Sequence, residues 1–419
     1  MWDVPYSFNG VIKYIQSSKT IRKMERKMET LITIIVPAYN VEKYIRECVN
    51  SLIHQTRMKH KIVIVNDGST DRTEEVCMEL KKDHEELITY VSQENQGLGG
   101  ARNTGMKYVD TPYLCFLDSD DWLNSYFIEC FSKMIERTDE LPDLVFTLPW
   151  VYDSVTKCVM EWKDKKLYDQ IFEASDGSSK VVTNARKRPE LYALEVNACR
   201  KIYKTAFLKE QEFQFPLKLK WEDVPGHFQL LHEANTCMAL PEVGFFYRVN
   251  QGGQITSGGG ASRLDMVPIF KQLLEVQEKF DFNAVERAYV LRVIVDFSMW
   301  SVEVTNQDYI DSLLNGFHDL YKTFRKEDIS YYLTYISPNK EKDSGFINCL
   351  CSDEYKNLAD YIERERIIKK YGAAGTGLYM NIKKRRNIVK GGIQCICDHG
   401  ISYTLIWMCR KYLFRKNSN

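Results

Sequence analysis

Four short apolar runs alternating with helical spacing, three of them ending in a polar cluster, constrain this chain more than any other feature. Residues 31–37 (LITIIVP), 62–65 (IVIV), 87–92 (LITYVS) and 113–118 (YLCFLD) are of strand length and nearly uncharged. The first has the pattern of a strand buried on both faces, the second and fourth also read as buried strands, and the third as a strand. After the first run, Tyr44, Ile45, Cys48, Val49, Leu52 and Ile53 recur at helical spacing. Residues 97–105 (GLGGARNTG) open another helix before the fourth run. Alternation of this kind predicts a parallel α/β sheet, in which ligands bind beyond the carboxyl ends of the strands. Pro37 is expected to stop its ladder, leaving Tyr39 and Asn40 in a loop. Asp67-Gly68 and Asp118-Ser119-Asp120 fall at the ends of the second and fourth runs.

The fourth end is the most acidic. Asp118, Asp120 and Asp121 crowd into four positions directly after an apolar strand. Carboxylates that close repel one another and call for a counterion. A hard divalent cation, Mn²⁺ or Mg²⁺, shared with substrate phosphate oxygens supplies one. A lone Asp-x-Asp would more simply be a solvated turn capping the next helix. Three polar clusters on one rim of one sheet favour a ligand site instead. The glycine-rich segment is not a dinucleotide fingerprint, since GLGGAR does not fit GxGxxG, and no GxxxxGK[ST] phosphate loop occurs. Its glycines suit close backbone packing, and Arg102 offers a fixed cation near phosphate or base.

Composition narrows the partners. The 57 basic and 57 acidic residues cancel, which gives no reason to expect a nucleic-acid partner. The cancellation hides a basic end: residues 369–419 hold eleven Lys or Arg against Asp398 alone. The 12 cysteines lack zinc-finger spacing, no secretory signal opens the chain and no eighteen-residue apolar stretch occurs. Free thiols in a cytoplasmic protein are therefore expected.

VPAYN, a helix ending HQT, VNDGSTD, NQGLGGARNTGM and FLDSDDWL together resemble the family 2 glycosyltransferases, inverting enzymes of the GT-A fold that use nucleotide sugars. The likeness is dense over residues 32–127 and thinner to about 256. It implies an α/β GT-A fold with a mixed, mostly parallel central sheet, followed by a helical C-terminal region. It also implies that Pro37, Tyr39 and Asp67 hold the nucleobase, usually uracil, with Asn40 and Arg102 against the nucleotide. Asp118 would lie near the ribose and the metal, and Asp120 on the metal bridging the diphosphate.

Residues 201–216 resemble the segment preceding the family's ED motif, which stands here as Glu222-Asp223 after Trp221. The resemblance makes Asp223 the general base and Glu222 its neighbour, orienting acceptor or metal. Pro225 and Gly226 depart from the apolar, helical residues that usually follow. Residues 245–257 resemble the closing segment, where Tyr247 and Arg248 contact diphosphate or acceptor. Trp221 could stack on a sugar or belong to the core.

The expected division is a basic N-terminal extension (1–30), the GT-A domain (31–260), a helical appendage (261–371) and a basic amphipathic tail (372–419). Within the appendage, residues 266–280, 286–304, 308–324 and 357–371 read as helices and 330–353 as irregular. The tail, basic clusters around an apolar segment bearing Trp407, suits peripheral contact with anionic lipid on the inner face of a membrane. The implied reaction is transfer of one sugar, with inversion, from a nucleotide sugar (UDP-linked) to a glycan or lipid-linked acceptor in surface polysaccharide synthesis. The absence of QxxRW and of membrane spans speaks against a processive synthase. A non-catalytic relative would be expected to lose the carboxylates that stand here. A sugar nucleotidylyltransferase would need a glycine-rich, cationic loop after its first strand.

Overall fold

The computed structural model describes residues 30–172, 183–251 and 258–358. The basic N-terminal extension, the tail with its expected membrane contact and the helix expected over 357–371 lie wholly or almost wholly outside these residues.

A sheet of nine strands organises the first two-thirds of the chain, with its longest path in the order β3-β2-β1-β4-β8-β6-β9-β5 and β7 pairing β6. The four apolar runs become β1 (Ile32–Ala38), β2 (His60–Asn66), β3 (Ile88–Ser92) and β4 (Tyr113–Phe116). They pair in parallel. The helices between them are α1 (Ile45–Ile53), α2 (Thr73–Asp83) and α3 (Gly97–Met106). Every residue of β1 is buried, which is why its sequence is almost wholly apolar, its one polar side chain, Thr33, sharing a hydrogen bond with Thr111 at 2.7 Å.

Pro37 does not end β1. It lies within the strand, opposite Val65 of β2. The β4 side of the ladder closes with the Leu117 N–H donating to Ile35 O at 3.0 Å. The missing N–H of Pro37 faces that already finished side, so it costs no sheet hydrogen bond.

Beyond β4 the sheet turns mixed. A two-residue β5 (Trp122–Leu123), α4 (Phe127–Glu136), β6 (Leu144–Asp153), β7 (Val159–Glu161) and α5 (Lys165–Phe172) follow. Then come β8 (Lys201–Lys204), α6 (Thr205–Glu210), α7 (Asp223–Glu233) and β9 (Cys237–Val249). β8 runs antiparallel to both β4 and β6, while β9 runs parallel to β6. Pro149 is tolerated inside β6 because the register to β9 shifts there.

Glycines bring α3 down onto its neighbours. A Cβ at Gly105 would meet Ile35 Cγ2 at 2.3 Å, and one at Gly99 would meet Pro216 O at 2.1 Å. The second contact draws the segment before α7 over the end of β4.

The C-terminal described region is helical: α8 (Met266–Lys279), α9 (Ala284–Val304), α10 (Gln307–Tyr321), α11 (Lys326–Tyr331) and α12 (Lys340–Cys351). The expectation of irregular structure over 330–353 is corrected. A π-helical turn (Tyr332–Ile336) and α12 occupy most of it, with Asn339 capping α12 by accepting from the Lys342 N–H at 3.2 Å. No described helix is long and apolar enough to cross a membrane.

Candidate active site

The ends of β1 and β2 form one side of the rim. Asn40, at φ 53°, ties the two loops together: its side-chain oxygen accepts from Thr70 N–H at 2.8 Å, and its own N–H donates to Ser69 Oγ at 3.0 Å. Tyr39 is half exposed, its ring free to meet a planar ligand. Asp67 is buried, and its carboxylate accepts from Gln96 N–H (2.8 Å), Gly97 N–H (2.9 Å) and Gln93 Nε2 (2.6 Å). Asp67 therefore clamps the entry of α3, and Gly97 meets it at φ +80°, a backbone state that glycine adopts freely.

The turn after β4 is the electrostatic centre. Asp120 accepts from Gln251 Nε2 through Oδ2, and its carbonyl accepts from Arg248 Nε at 2.8 Å. Burial, then the Asp118 charge, pushes Asp120 up to about 6. Asp121 is fully buried, and its Oδ1 accepts the Arg248 backbone N–H at 2.8 Å. It fastens the turn to β9. The Arg248 guanidinium lies 4.6 Å from the Trp122 ring, with Tyr44 and Tyr152 at 5.4 and 5.5 Å, and donates to Glu47 at 2.6 Å.

Asp118 and Asp120 form a hard-oxygen donor pair whose mutual repulsion a divalent cation would relieve. The residues fit Mn²⁺ or Mg²⁺ as part of a coordination shell. Among the described residues no group of three or more His, Cys, Asp or Glu stands ready to hold a metal alone. The remaining ligands would have to come from diphosphate and water, as Mg²⁺ sites beside phosphates usually arrange.

Arg102 joins this turn to the second carboxylate pair. It is 2% exposed, donating from Nη2 to Asp118 Oδ1 at 2.9 Å and from Nη1 to Glu222 Oε1 at 2.5 Å. Phe116 and Phe215 lie 5.7 and 5.4 Å from the guanidinium carbon. Glu222 is equally buried, and burial pushes it up to about 7 while Arg102 pulls it back.

Asp223 stands beside it at the first position of α7. Its carboxyl makes no side-chain hydrogen bond among the described residues. Burial raises it, and Arg102 and then Lys201 oppose that rise. Pro225 falls in the first turn of α7, where its absent N–H has no partner to lose. The helix therefore runs on unbroken despite the departure at Pro225 and Gly226.

Replacing Arg102 with Met should leave Glu222 buried without a counterion. The expected cost is about 3–5 kcal/mol, a fall in melting temperature on the order of 10 °C. Arg102→Lys should recover little, because one ammonium cannot fork to both carboxylates. Thermal unfolding of the three proteins decides it. A melting temperature unchanged in Arg102→Met would show that the bridge carries no load.

With this geometry in view, the comparisons are specific. Residues 33–186 match Glycosyl transferase family 2. Glycosyltransferase GlyA of Streptococcus pneumoniae is 50% identical over 105 residues, covering 25% of this chain and 15% of that protein. TarS of Staphylococcus aureus, a poly(ribitol-phosphate) β-N-acetylglucosaminyltransferase, is 26% identical over 289 residues, 68% of this chain and 45% of that one. The chain thus spans less than half the length of either relative. Residues 1–349 of TarS, solved with UDP-GlcNAc, superpose with a TM-score of 0.60 at 19% identity, covering 80% of this chain and 91% of that structure. The fold is GT-A.

The glycosyl transferase domain as matched contains Asp67, Arg102, Asp118 and Asp120 but stops before Glu222, Asp223 and Arg248. Arg102 brings the two groups together. Two expected site residues do not converge on them. Tyr247 alternates to the other face of β9 from Arg248 and packs edge-on against Trp162, 5.2 Å between centroids. Trp221 faces the helical region, with Trp300 at 5.1 Å.

Gln251, Glu47 and Lys201 were not legible as site residues. Lys201 is 2% exposed, donates to Asn197 O at 3.1 Å, and burial lowers it to about 7. Its position in an ordinary strand carries no motif.

Proposed function

We propose that this chain transfers a single sugar from a UDP-sugar to a hydroxyl of a glycan or lipid-linked acceptor, with inversion and metal assistance, in the synthesis of a bacterial cell-wall or surface polymer. One observation carries the reading. Asp118 at the end of β4 and Glu222 at the start of α7 are bound to a single buried guanidinium, so a donor rim and the neighbour of the candidate base share one fixed frame. The polymeric acceptor follows TarS, a poly(ribitol-phosphate) β-N-acetylglucosaminyltransferase, whose structure with UDP-GlcNAc also supports a UDP-linked donor.

Asp118 and Asp120 would hold the divalent cation, which when bound offsets the charge developing on the leaving diphosphate. Arg248, fixed by three aromatic rings, stands beside the same turn as a second positive charge. Asp223 accepts the proton of the acceptor hydroxyl while that oxygen attacks the anomeric carbon. The bond from that carbon to the diphosphate oxygen breaks, its electron pair leaving with UDP. A single displacement of this kind inverts the anomeric centre. Glu222, tied to Arg102, orients and does not take the proton.

Release of UDP from a panel of UDP-sugars, with Mn²⁺ and without acceptor, tests the reading. Slow hydrolysis of one or two sugars above the others is expected. No release from any of them, together with no binding of UDP, would contradict it.

A further inference from the structure

Trp221 directly precedes Glu222 and Asp223, and its backbone sits at φ +66°. A bulky residue in this left-handed region is an outlier that persists only where its surroundings impose it. The surroundings here belong to the helical region. Lys220 N–H donates to Asp265 Oδ2 at 3.1 Å. The Trp221 indole meets Trp300 of α9 edge-on at 5.1 Å. Arg263, fully buried, places its guanidinium carbon 4.1 Å from the Trp300 ring and 5.1 Å from the Trp221 ring, and its Nε–H donates to Gly258 O at 2.7 Å. The Trp221 carbonyl in turn accepts the Val224 N–H at 3.1 Å, which starts α7 with Asp223 at its first position.

We propose that the helical region is a working part of the active site: Arg263, Trp300 and Asp265 hold Trp221 in its left-handed conformation, and that conformation sets where Glu222 and Asp223 stand. Trp221 is then a positioning residue, not a platform for a sugar. The inference rests on the reading of Asp223 as the base. It assigns the helices after residue 260 a kinetic role that their sequence, free of chemical motifs, does not announce. Small misplacements of a reacting group cost up to about a hundredfold in rate, so the effect belongs in kcat.

The test compares Trp300→Leu, and Trp300→Leu combined with Trp221→Gly, in the full chain. Trp300→Leu is expected to lower kcat about 10- to 100-fold with both KM values nearly unchanged, the signature of an interaction needed in the transition state. Glycine adopts positive φ without help, so the double variant should regain much of the lost kcat. Unchanged kcat in Trp300→Leu overturns the proposal. So does a loss confined to the acceptor KM, which would make Trp221 a sugar platform, or a double variant no better than the single one. Should Trp300→Leu not fold, Arg263→Met is read by the same split. Asp223→Asn assayed alongside keeps the two readings apart: full activity there ends the assignment of the base, whatever Trp300 does.

Discussion

Asp223→Asn is expected to bind UDP as the wild type does and to turn over roughly 10²- to 10⁴-fold more slowly, the usual loss when a general base is removed. Two carboxylates compete for the role, and their surroundings separate them. Glu222 gives an oxygen to Arg102 at 2.5 Å and is 3% exposed. Taking a proton there would break a buried ion pair, whose disruption costs several kcal/mol. Asp223 has no such obligation. Its pKa is raised by burial, which strengthens it as a base once ionised, while Arg102 and Lys201 keep the charged form within reach. Asparagine preserves the shape but replaces the carboxylate with a neutral amide far too weakly basic to accept the proton. Turnover measured beside calorimetric UDP binding checks the expectation. A variant keeping most of its activity would move the base elsewhere, and Glu222→Gln would be the next protein to assay.

Asp120→Asn should nearly abolish transfer while keeping the fold, because an amide neither neutralises the cation nor anchors it as well. Stability carries a second signature. Burial and Asp118 hold Asp120 up at about 6, against about 4 in an unfolded chain. Between these values the folded state binds more protons than the unfolded state. Stability relative to Asp120→Asn must therefore fall as pH rises through that window. Added Mn²⁺ should reverse the fall in the wild type alone. Thermal melts from pH 4 to 7 read it directly. A wild type that gains stability over the variant as pH rises would show that Asp120 is not held in its neutral form.

β1, β2 and β4 were legible because a strand buried on both faces has little room for polar alternation, and polar residues end each of them where the chain leaves the sheet. β3, at the sheet edge with only Ile88 buried, showed as a short β-branched and aromatic run. β6 and β9 were harder to read. β6 contains Pro149 and ends in a half-buried segment, tolerable only because its register with β9 shifts there. Helix α12 escaped notice because its buried side is thin, with Ile347 and Leu350 the buried apolar residues. Most of the candidate carboxylates could be named from motifs, but their relation could not. Arg102 and Glu222 lie 120 residues apart in the chain, and the close packing of Gly99 against Pro216, with the paired hydrogen bonds between Asn103 and Phe215, brings them together. Trp221 shows the same limit. Nothing in its neighbours along the sequence reveals that its ring faces Trp300 or that its backbone is left-handed.

The central claim is that the carboxylate pair after β4 joins a divalent cation to the diphosphate of a UDP-sugar. Calorimetric titration of UDP into the wild type, with Mn²⁺ and then with EDTA, tests it most directly, with Asp120→Asn as the control. Binding should be tighter by at least about tenfold with Mn²⁺ in the wild type, a difference of about 1.4 kcal/mol, and insensitive to Mn²⁺ in the variant. Equal affinity of the wild type for UDP in Mn²⁺ and in EDTA would contradict the claim.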